Sequence, residues 1–169
     1  MQITAGGVAL SSELFSSNGV LRGTDVMVNN DNVFAYYQAN AGGGVGTPCI
    51  QVWNPAGSGK TIFIDEVIIT ASDIGIAQWG FTSTQFASAP NQWISMKNGL
   101  TLGSGQVDTF DGTPAATSYV GAAYLAANGN FIVPLPFPMM ISPGKGVVVR
   151  WSSTTTAFQV AFSGREFTN

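Results

Sequence analysis

The chain has 169 residues, the length of one domain, and only 9% of them are charged, against about 25% in an ordinary soluble domain. Its nine acidic and six basic residues give a net charge of −3, and the basic residues are scattered, so the clustered cations that bind nucleic-acid phosphates are missing. Histidine is absent, which excludes Ser-His-Asp and Cys-His nucleophiles and histidine metal sites.

Uncharged polar residues take the places that Lys and Glu usually hold. A surface of this kind suits tight packing against neighbours, because charged side chains must be desolvated or paired inside an interface. We therefore expect an oligomer, with a monomeric low-charge β domain as the alternative.

The first thirty residues are rich in Gly, Ser and Asn and show no dominant hydrophobic period. We interpret residues 1–30 as an N-terminal arm or leader and residues 31–169 as a single domain. No signal peptide is recognisable, and the longest apolar stretch, at 131–141, is shorter than the roughly 20 residues of a membrane helix. These features predict a soluble protein made in the cytoplasm.

Three strands are predicted in the next part of the chain, at residues 33–38, 49–53 and 61–70, where apolar and β-branched residues dominate. Cys49 is the only cysteine, so an intramolecular disulfide is excluded. Because it lies in a strand pattern, we predict a buried, inert thiol.

The segment between the last two of these strands imitates a nucleotide-binding loop. Gly59, Lys60 and Thr61 supply the end of a P-loop motif, but Asn54 stands where its first glycine is required. A strand pattern follows, whereas the P-loop lysine should open a helix. We predict a tight loop in which Pro55 presets one backbone angle and the glycines supply positive φ.

The acidic pair Asp65 and Glu66 interrupts the alternation of its strand, which indicates a bulge or a passage from buried to exposed positions. On a regular strand the two side chains point to opposite faces, so they are not a paired acid and base. Residues 74–82 then alternate cleanly and predict another strand.

Residues 83–130 are the least readable part, and we predict long loops and short strands there. An alanine-rich stretch from 115 to 127 permits a short helix, which Gly121 disfavours. Asp108 and Asp111 are close enough in sequence to suggest Ca²⁺, but the surrounding ligand count is too low, so solvated loop acids are the preferred interpretation.

The last forty residues are the most orderly. Residues 131–141 carry three prolines and predict an edge strand or extended segment. A type II turn is predicted at 142–146, with Pro143 at its second and Gly144 at its third position. Two alternating strands follow, in which Val147, Val149 and Trp151 share one face and residues 158, 160 and 162 share the other strand's inner face.

Short strands joined by Gly, Pro and Asn turns predict an all-β fold, an antiparallel β-sandwich of the jelly-roll kind. We expect no enzymatic activity, cofactor, metal or membrane contact. The tryptophans are predicted to pack in the core or at a subunit interface, while Tyr119 and Tyr124, set among loop residues, are the candidates for stacking on a sugar ring.

Two stretches, at 51–60 with the following strand and at 141–149 with 158–166, resemble small virion proteins of tailed bacteriophages. The resemblance implies a jelly-roll-like fold that assembles as trimers on capsids or in tail and fibre assemblies, in contact with the major capsid protein or other virion proteins. The corresponding hypothesis is a non-enzymatic capsid decoration (cement) protein of the virion, which bridges and stabilises capsomers.

Candidate contacts between chains in such an assembly are Arg150, Arg165 and Glu166, with surface ion pairs of little effect as the alternative. The second hypothesis is a tail, baseplate or fibre module that binds a host surface glycan. A secreted carbohydrate-binding module of a cell is a more distant third.

Overall fold

The computed structural model describes residues 3–5, 8–10, 15–16, 19–20, 33–40, 47–86, 91–95, 102–112, 117–135, 138–152 and 157–168. These residues form strands and turns and contain no helix. Four short strands lie near the start of the chain and pair as two hairpins, β1 with β2 and β3 with β4: β1 (Ile3–Ala5), β2 (Val8–Leu10), β3 (Phe15–Ser16) and β4 (Gly19–Val20). The predicted boundary near residue 30 lies outside the described residues.

The other eleven strands form one continuous antiparallel ladder. They are β5 (Val33–Asn40), β6 (Pro48–Asn54), β7 (Lys60–Ala71), β8 (Gly75–Thr82), β9 (Asn91–Ser95), β10 (Leu102–Asp111), β11 (Thr117–Leu125), β12 (Gly129–Ile132), β13 (Met139–Ile141), β14 (Lys145–Trp151) and β15 (Phe158–Thr168). The order along the ladder is β11-β8-β14-β6-β10-β9-β5-β15-β7-β12, and β13 pairs with β7 beside β12.

The ladder folds over into two facing halves. One half has the order β11-β8-β14-β6, the other has the order β5-β15-β7-β12, and β9 and β10 join them along one side. Apart from this insertion and from β12 and β13, which both pair with β7, successive strands alternate between the halves, and the first strand of the ladder, β5, lies beside the last, β15. This arrangement is a jelly roll. The predicted all-β, antiparallel sandwich is therefore confirmed.

The core lies between the two halves. The rings of Trp151 and Phe158 lie 5.8 Å apart and those of Trp79 and Phe131 lie 5.9 Å apart, each pair joining one half to the other. The alternating residues predicted at 147, 149, 158, 160 and 162 are all buried in this cluster. Cys49 is also buried, as predicted, but on the outer face of its sheet with Phe86 and Val148.

The two best-defined turns follow from their residue types. Lys145 donates its backbone N–H to the Ser142 carbonyl at 3.1 Å, and Gly144 has φ +74°, so the predicted type II turn is confirmed. In the loop between β6 and β7, Ser58 donates to the Pro55 carbonyl at 3.0 Å, and Gly59 has φ +63°.

Asn54 is the residue that organises this second loop. Its buried amide donates to the carbonyls of Lys60 at 2.8 Å and Ile141 at 2.9 Å, and it accepts from the Ser58 hydroxyl at 2.6 Å. Asn54, which replaces the first glycine of the P-loop motif, therefore stabilises the closed conformation of the loop between β6 and β7.

Replacing Asn54 tests this interpretation, because Asn54→Gly would complete the P-loop motif in sequence. We expect the variant to lose about 2 kcal/mol of unfolding free energy in urea, since two carbonyl groups lose their donor. It should acquire no affinity for ATP in isothermal titration calorimetry. Nucleotide binding by the variant would contradict the structural role.

Two predictions need correction. Within the stretch that permitted a helix, residues 117–125 are strand β11, and the region predicted as loops and short strands contains the long strands β10 and β11. Asp65 is the extra residue of a bulge on β7, opposite the step from Ser163 to Gly164. A bulge was one of the two alternatives predicted for this pair, and Asp65 and Glu66 are both exposed. The edge position of residues 131–141 is confirmed, since β12 and β13 lie along the outer edge of β7.

Candidate interaction surface

The two sides of the sandwich differ. On one side, β9 and β10 connect the halves, so the ladder is continuous there. On the other side the ladder ends, with β11 as the last strand of one half and β12 and β13 at the edge of the other. We call the surface formed by β11, β12, β13 and the adjacent strand β8 the open side.

The open side carries no charge on its strands. No Asp, Glu, Lys or Arg occurs between Asp111 and Lys145, the stretch that contains β11, β12 and β13, and none occurs in β8. An exposed strand edge is normally protected by charged side chains or prolines. Four of the five prolines of this stretch flank β13 and Pro114 precedes β11, whereas β11 itself contains neither proline nor charge.

Large apolar side chains are exposed at the open side on both halves of the sandwich. Val120 is 60% exposed and Tyr124 67%, and Ile76 lies directly across from Tyr124 in the β8–β11 pairing. Of the exposed large hydrophobic residues in the described part of the chain, all except Phe110 lie on the open side or next to it: Ile74, Ile76, Val120, Tyr124, Ile132 and Met140. Apolar patches of this kind mark interaction sites.

A bulge on β11 determines how the two candidate tyrosines are placed. Tyr119 pairs with Gly80 and Gly121 with Trp79, so Val120 is an extra residue. Tyr119 and Tyr124 are an odd number of positions apart, which on a regular strand puts them on opposite faces. The bulge brings both to the outer face of the sheet, about 13 Å apart along β8 at ~3.3 Å per residue.

The two tyrosines differ in their surroundings. Tyr124 projects into solvent, whereas Tyr119 packs against the outer cluster of Cys49, Phe86 and Val148. The Tyr119 hydroxyl is buried, and its neighbour Arg150 acts on it through a side-chain contact and through charge. Burial raises the pKa of Tyr119 above its ordinary value of 10.0, and Arg150 offsets part of that increase.

This pKa shift has a measurable consequence. We expect a late phase in the absorbance titration at 295 nm that Tyr119→Phe removes. Because the folded pKa exceeds the unfolded value, the contribution of Tyr119 to stability is complete below pH 10 and falls as the pH rises through the folded pKa. If Tyr119→Phe instead removed a phase at the pH where ordinary tyrosines titrate, the assignment of the late phase to Tyr119 would be wrong.

Arg165 lies on the outer face of the opposite half. Its guanidinium makes a two-point contact with Asp65, at 2.8 and 2.7 Å, and lies over the rings of Phe63 and Phe167 at 5.8 and 5.9 Å. A shallow, mostly apolar concavity of about 490 Å³ adjoins it, lined by Thr61, Phe63, Pro138, Met140, Arg165 and Phe167. Met140 connects this concavity with the open side.

Glu166 is placed inside the sandwich and is 2% exposed. Its carboxylate accepts hydrogen bonds from the backbone N–H groups of Ser104 at 2.5 Å and Gly105 at 2.9 Å, and from the Lys60 ammonium at 2.8 Å. Ser104 and Gly105 lie where the register of β10 shifts against β9, close to the junction of the two halves. The carboxylate therefore fastens β15 to that junction.

The structure does not bring the three predicted interchain residues together. Arg165 and Glu166 lie on opposite faces of β15, and Arg150 lies on the other half, where its Nε donates to the Thr47 hydroxyl at 3.2 Å. The contacts described for Glu166 are within the chain. A contact of these residues with another subunit stays a prediction.

Asp108 is not a solvated loop acid, which corrects that prediction. It is 1% exposed and lies in β10 across from Gln51. The side chain of Asp111 lies outside the described residues. In the described part of the chain, no three Cys, Asp or Glu side chains cluster as a metal site would require. Nor do the described ranges include a helix long and apolar enough to cross a membrane.

Comparisons of the chain with protein-family models, with curated proteins and with solved structures found no match. The open side is thus identified from its own residues. The sequence analysis missed it, although a signal was present. The stretch from Gly112 to Gly144 is free of charge, and the alternation of β11 places Val120 and Tyr124 outward.

Proposed function

We propose that the chain is a non-enzymatic structural protein of a virion, a capsid decoration protein that bridges and stabilises capsomers. The observation that carries the proposal is the charge-free, apolar open side of the jelly roll. Burying such a surface removes apolar area from water without desolvating charges. The resemblance of residues 51–60 and 141–149 to small virion proteins of tailed bacteriophages supports the same assignment.

The mechanism is stabilisation by mass action. Contacts made only with the assembled shell favour that state over unassembled alternatives, by an amount that grows with the concentration of the decorating protein. The proposed assembly is a homotrimer in contact with the major capsid protein, located in the virion. Arg150 and the exposed edge of the Arg165–Asp65 pair remain candidate contacts, and residues 1–30 are a candidate bridging arm.

Co-sedimentation with undecorated phage heads tests this function. We expect the purified protein to bind saturably and to raise the temperature at which the heads release their DNA. A Val120→Asp variant should bind at least tenfold more weakly, whereas Ala56→Asp, on the exposed β6–β7 loop, should bind like the unmodified chain. Absence of saturable binding to heads would contradict the proposal.

One observation favours a second candidate, a tail, baseplate or fibre module that binds a host surface glycan. Tyr124 is exposed next to Ile76 on an outer face that also carries Gln78 and, across from Gln78, Arg150; an aromatic ring beside polar side chains suits a sugar. A glycan array separates the two functions, because a decoration protein should give no signal. Binding that Tyr124→Ala abolishes would favour the glycan module.

A further inference from the structure

The free edge of β11 differs from the other edges of the sandwich. β9 and β10 cover one side, and prolines flank β13 at the edge of the second half. β11 pairs with β8 on one side only in the described ladder, and it is nine residues long. A long uncharged edge of this kind is a template for pairing with another strand.

The register of β11 leaves a regular segment on this edge. The bulge affects only the step from Tyr119 to Gly121, and from Gly121 to Leu125 each residue pairs regularly with β8. Bulges turn an edge away from partners. The segment available for pairing therefore consists of Gly121, Ala122, Ala123, Tyr124 and Leu125.

This segment is complementary to itself in antiparallel orientation. With Ala123 at the centre of a twofold axis, Ala122 lies opposite Tyr124 of a second copy, and Gly121 lies opposite Leu125. Each large side chain then meets a small one on the same face, which is how cross-strand neighbours pack without collision. No like charges oppose one another, because the segment has none.

The geometry points to β11 as the contact between two copies of this chain, which we infer pair antiparallel about Ala123 to continue the sheet across both molecules. A second copy fits this edge better than an ionic partner, since the flanking residues Ile76, Val120 and Tyr124 are apolar and exposed. The contact deepens the proposed function and rests on it. Its twofold symmetry joins molecules, or trimers, in pairs.

Light scattering of the full chain tests the inference with two Ala→Lys variants. We expect the unmodified protein to have the mass of two or six chains. Ala122→Lys should halve that number and weaken association at least tenfold, because each lysine would place a charge opposite Tyr124 of the other copy, and the two lysines would be diagonal neighbours across the seam. Ala56→Lys places the same charge on an exposed loop and should leave the mass unchanged. Circular dichroism confirms that both variants are folded.

A cysteine at the twofold axis gives a second measurement. Opposed residues of an antiparallel pair have Cα atoms about 4.5–5.5 Å apart, within the range of a disulfide. Ala123→Cys should therefore form a covalent dimer on mild oxidation, whereas Ala126→Cys, just beyond the strand, should not. The native Cys49 is buried and does not interfere.

The outcomes separate this inference from the proposed function. An odd number of chains, an Ala122→Lys variant of unchanged mass, or no disulfide through residue 123 would overturn the β11 contact. If one of these outcomes is found and the protein still binds phage heads, the proposed virion function stands without the β11 contact. If the mass halves and the disulfide forms but heads are not bound, the contact stands and the virion function fails.

Discussion

Glu166→Ala is expected to lower the free energy of unfolding by about 3–5 kcal/mol, because two backbone N–H groups lose their acceptor, at about 1–3 kcal/mol each, and a cavity is left. The substitution leaves the N–H groups of Ser104 and Gly105 without an acceptor and Lys60 without its counterion. Lys60 is partly exposed and regains water, so most of the loss comes from the two backbone groups and the cavity. Urea denaturation followed by tryptophan fluorescence measures the effect.

Two further variants make this result specific. Glu166→Gln keeps an acceptor oxygen for the two N–H groups and should lose less than half as much stability. Arg165→Ala removes the neighbouring, solvent-exposed ion pair with Asp65, which is worth about 1 kcal/mol or less. If Glu166→Ala cost no more than Arg165→Ala, the fastening of β15 to β10 would not contribute to the fold.

Gly80→Ala is expected to cost about 3 kcal/mol, the upper end of the range for overpacking a tightly packed site. A Cβ at this position would collide with the Ser118 carbonyl oxygen and would lie 2.6 Å from the Cα of Tyr119. Both are backbone atoms of β11 at the start of its bulge, so a rotamer change cannot relieve the collision. The measurement is the shift of the urea midpoint at unchanged slope.

Gly57→Ala is the matched control for this substitution. A Cβ at residue 57 has no atom within 4 Å, and its backbone does not have positive φ. Its effect should lie within about 0.5 kcal/mol of zero. If the two variants were equally stable, the β11 bulge would be able to shift. The bulge would then not hold Tyr119 and Tyr124 on the same face of the sheet.

Local chemistry was enough to predict most of the fold. Pro143 and Gly144 determine a type II turn by themselves, and the alternation of Phe158, Val160 and Phe162 identifies the inner face of β15. The edge position of β12 and β13 follows from prolines that cannot donate to a ladder. In each case the residue type restricts the backbone directly.

The features that were missed depend on contacts distant in sequence. The bulge at Val120 is fixed by Gly80 and Trp79 of another strand, so the alanine-rich stretch around it does not reveal a strand. The position of β9 and β10 between β6 and β5 is likewise determined by which strands they pair with. No period within residues 83–110 encodes it.

The candidate surface was only partly predictable for a different reason. The alternation that buries Phe162 also places Glu166 inside the sandwich. A carboxylate is buried stably only when hydrogen-bond donors surround it, and the donors of Glu166 include Lys60 and Ser104, which are remote in sequence. For the open side, sequence shows that the strands lack charge. Which strand ends the ladder is known only from the structure.

We propose that the open side is a surface where molecules assemble. The mass of the unmodified protein in solution, measured by light scattering over a range of micromolar concentrations, tests this most directly. We expect an assembly of more than one chain, whose mass falls on dilution and also falls when Ala122→Lys is introduced. A single chain of 17.6 kDa at every concentration would contradict it.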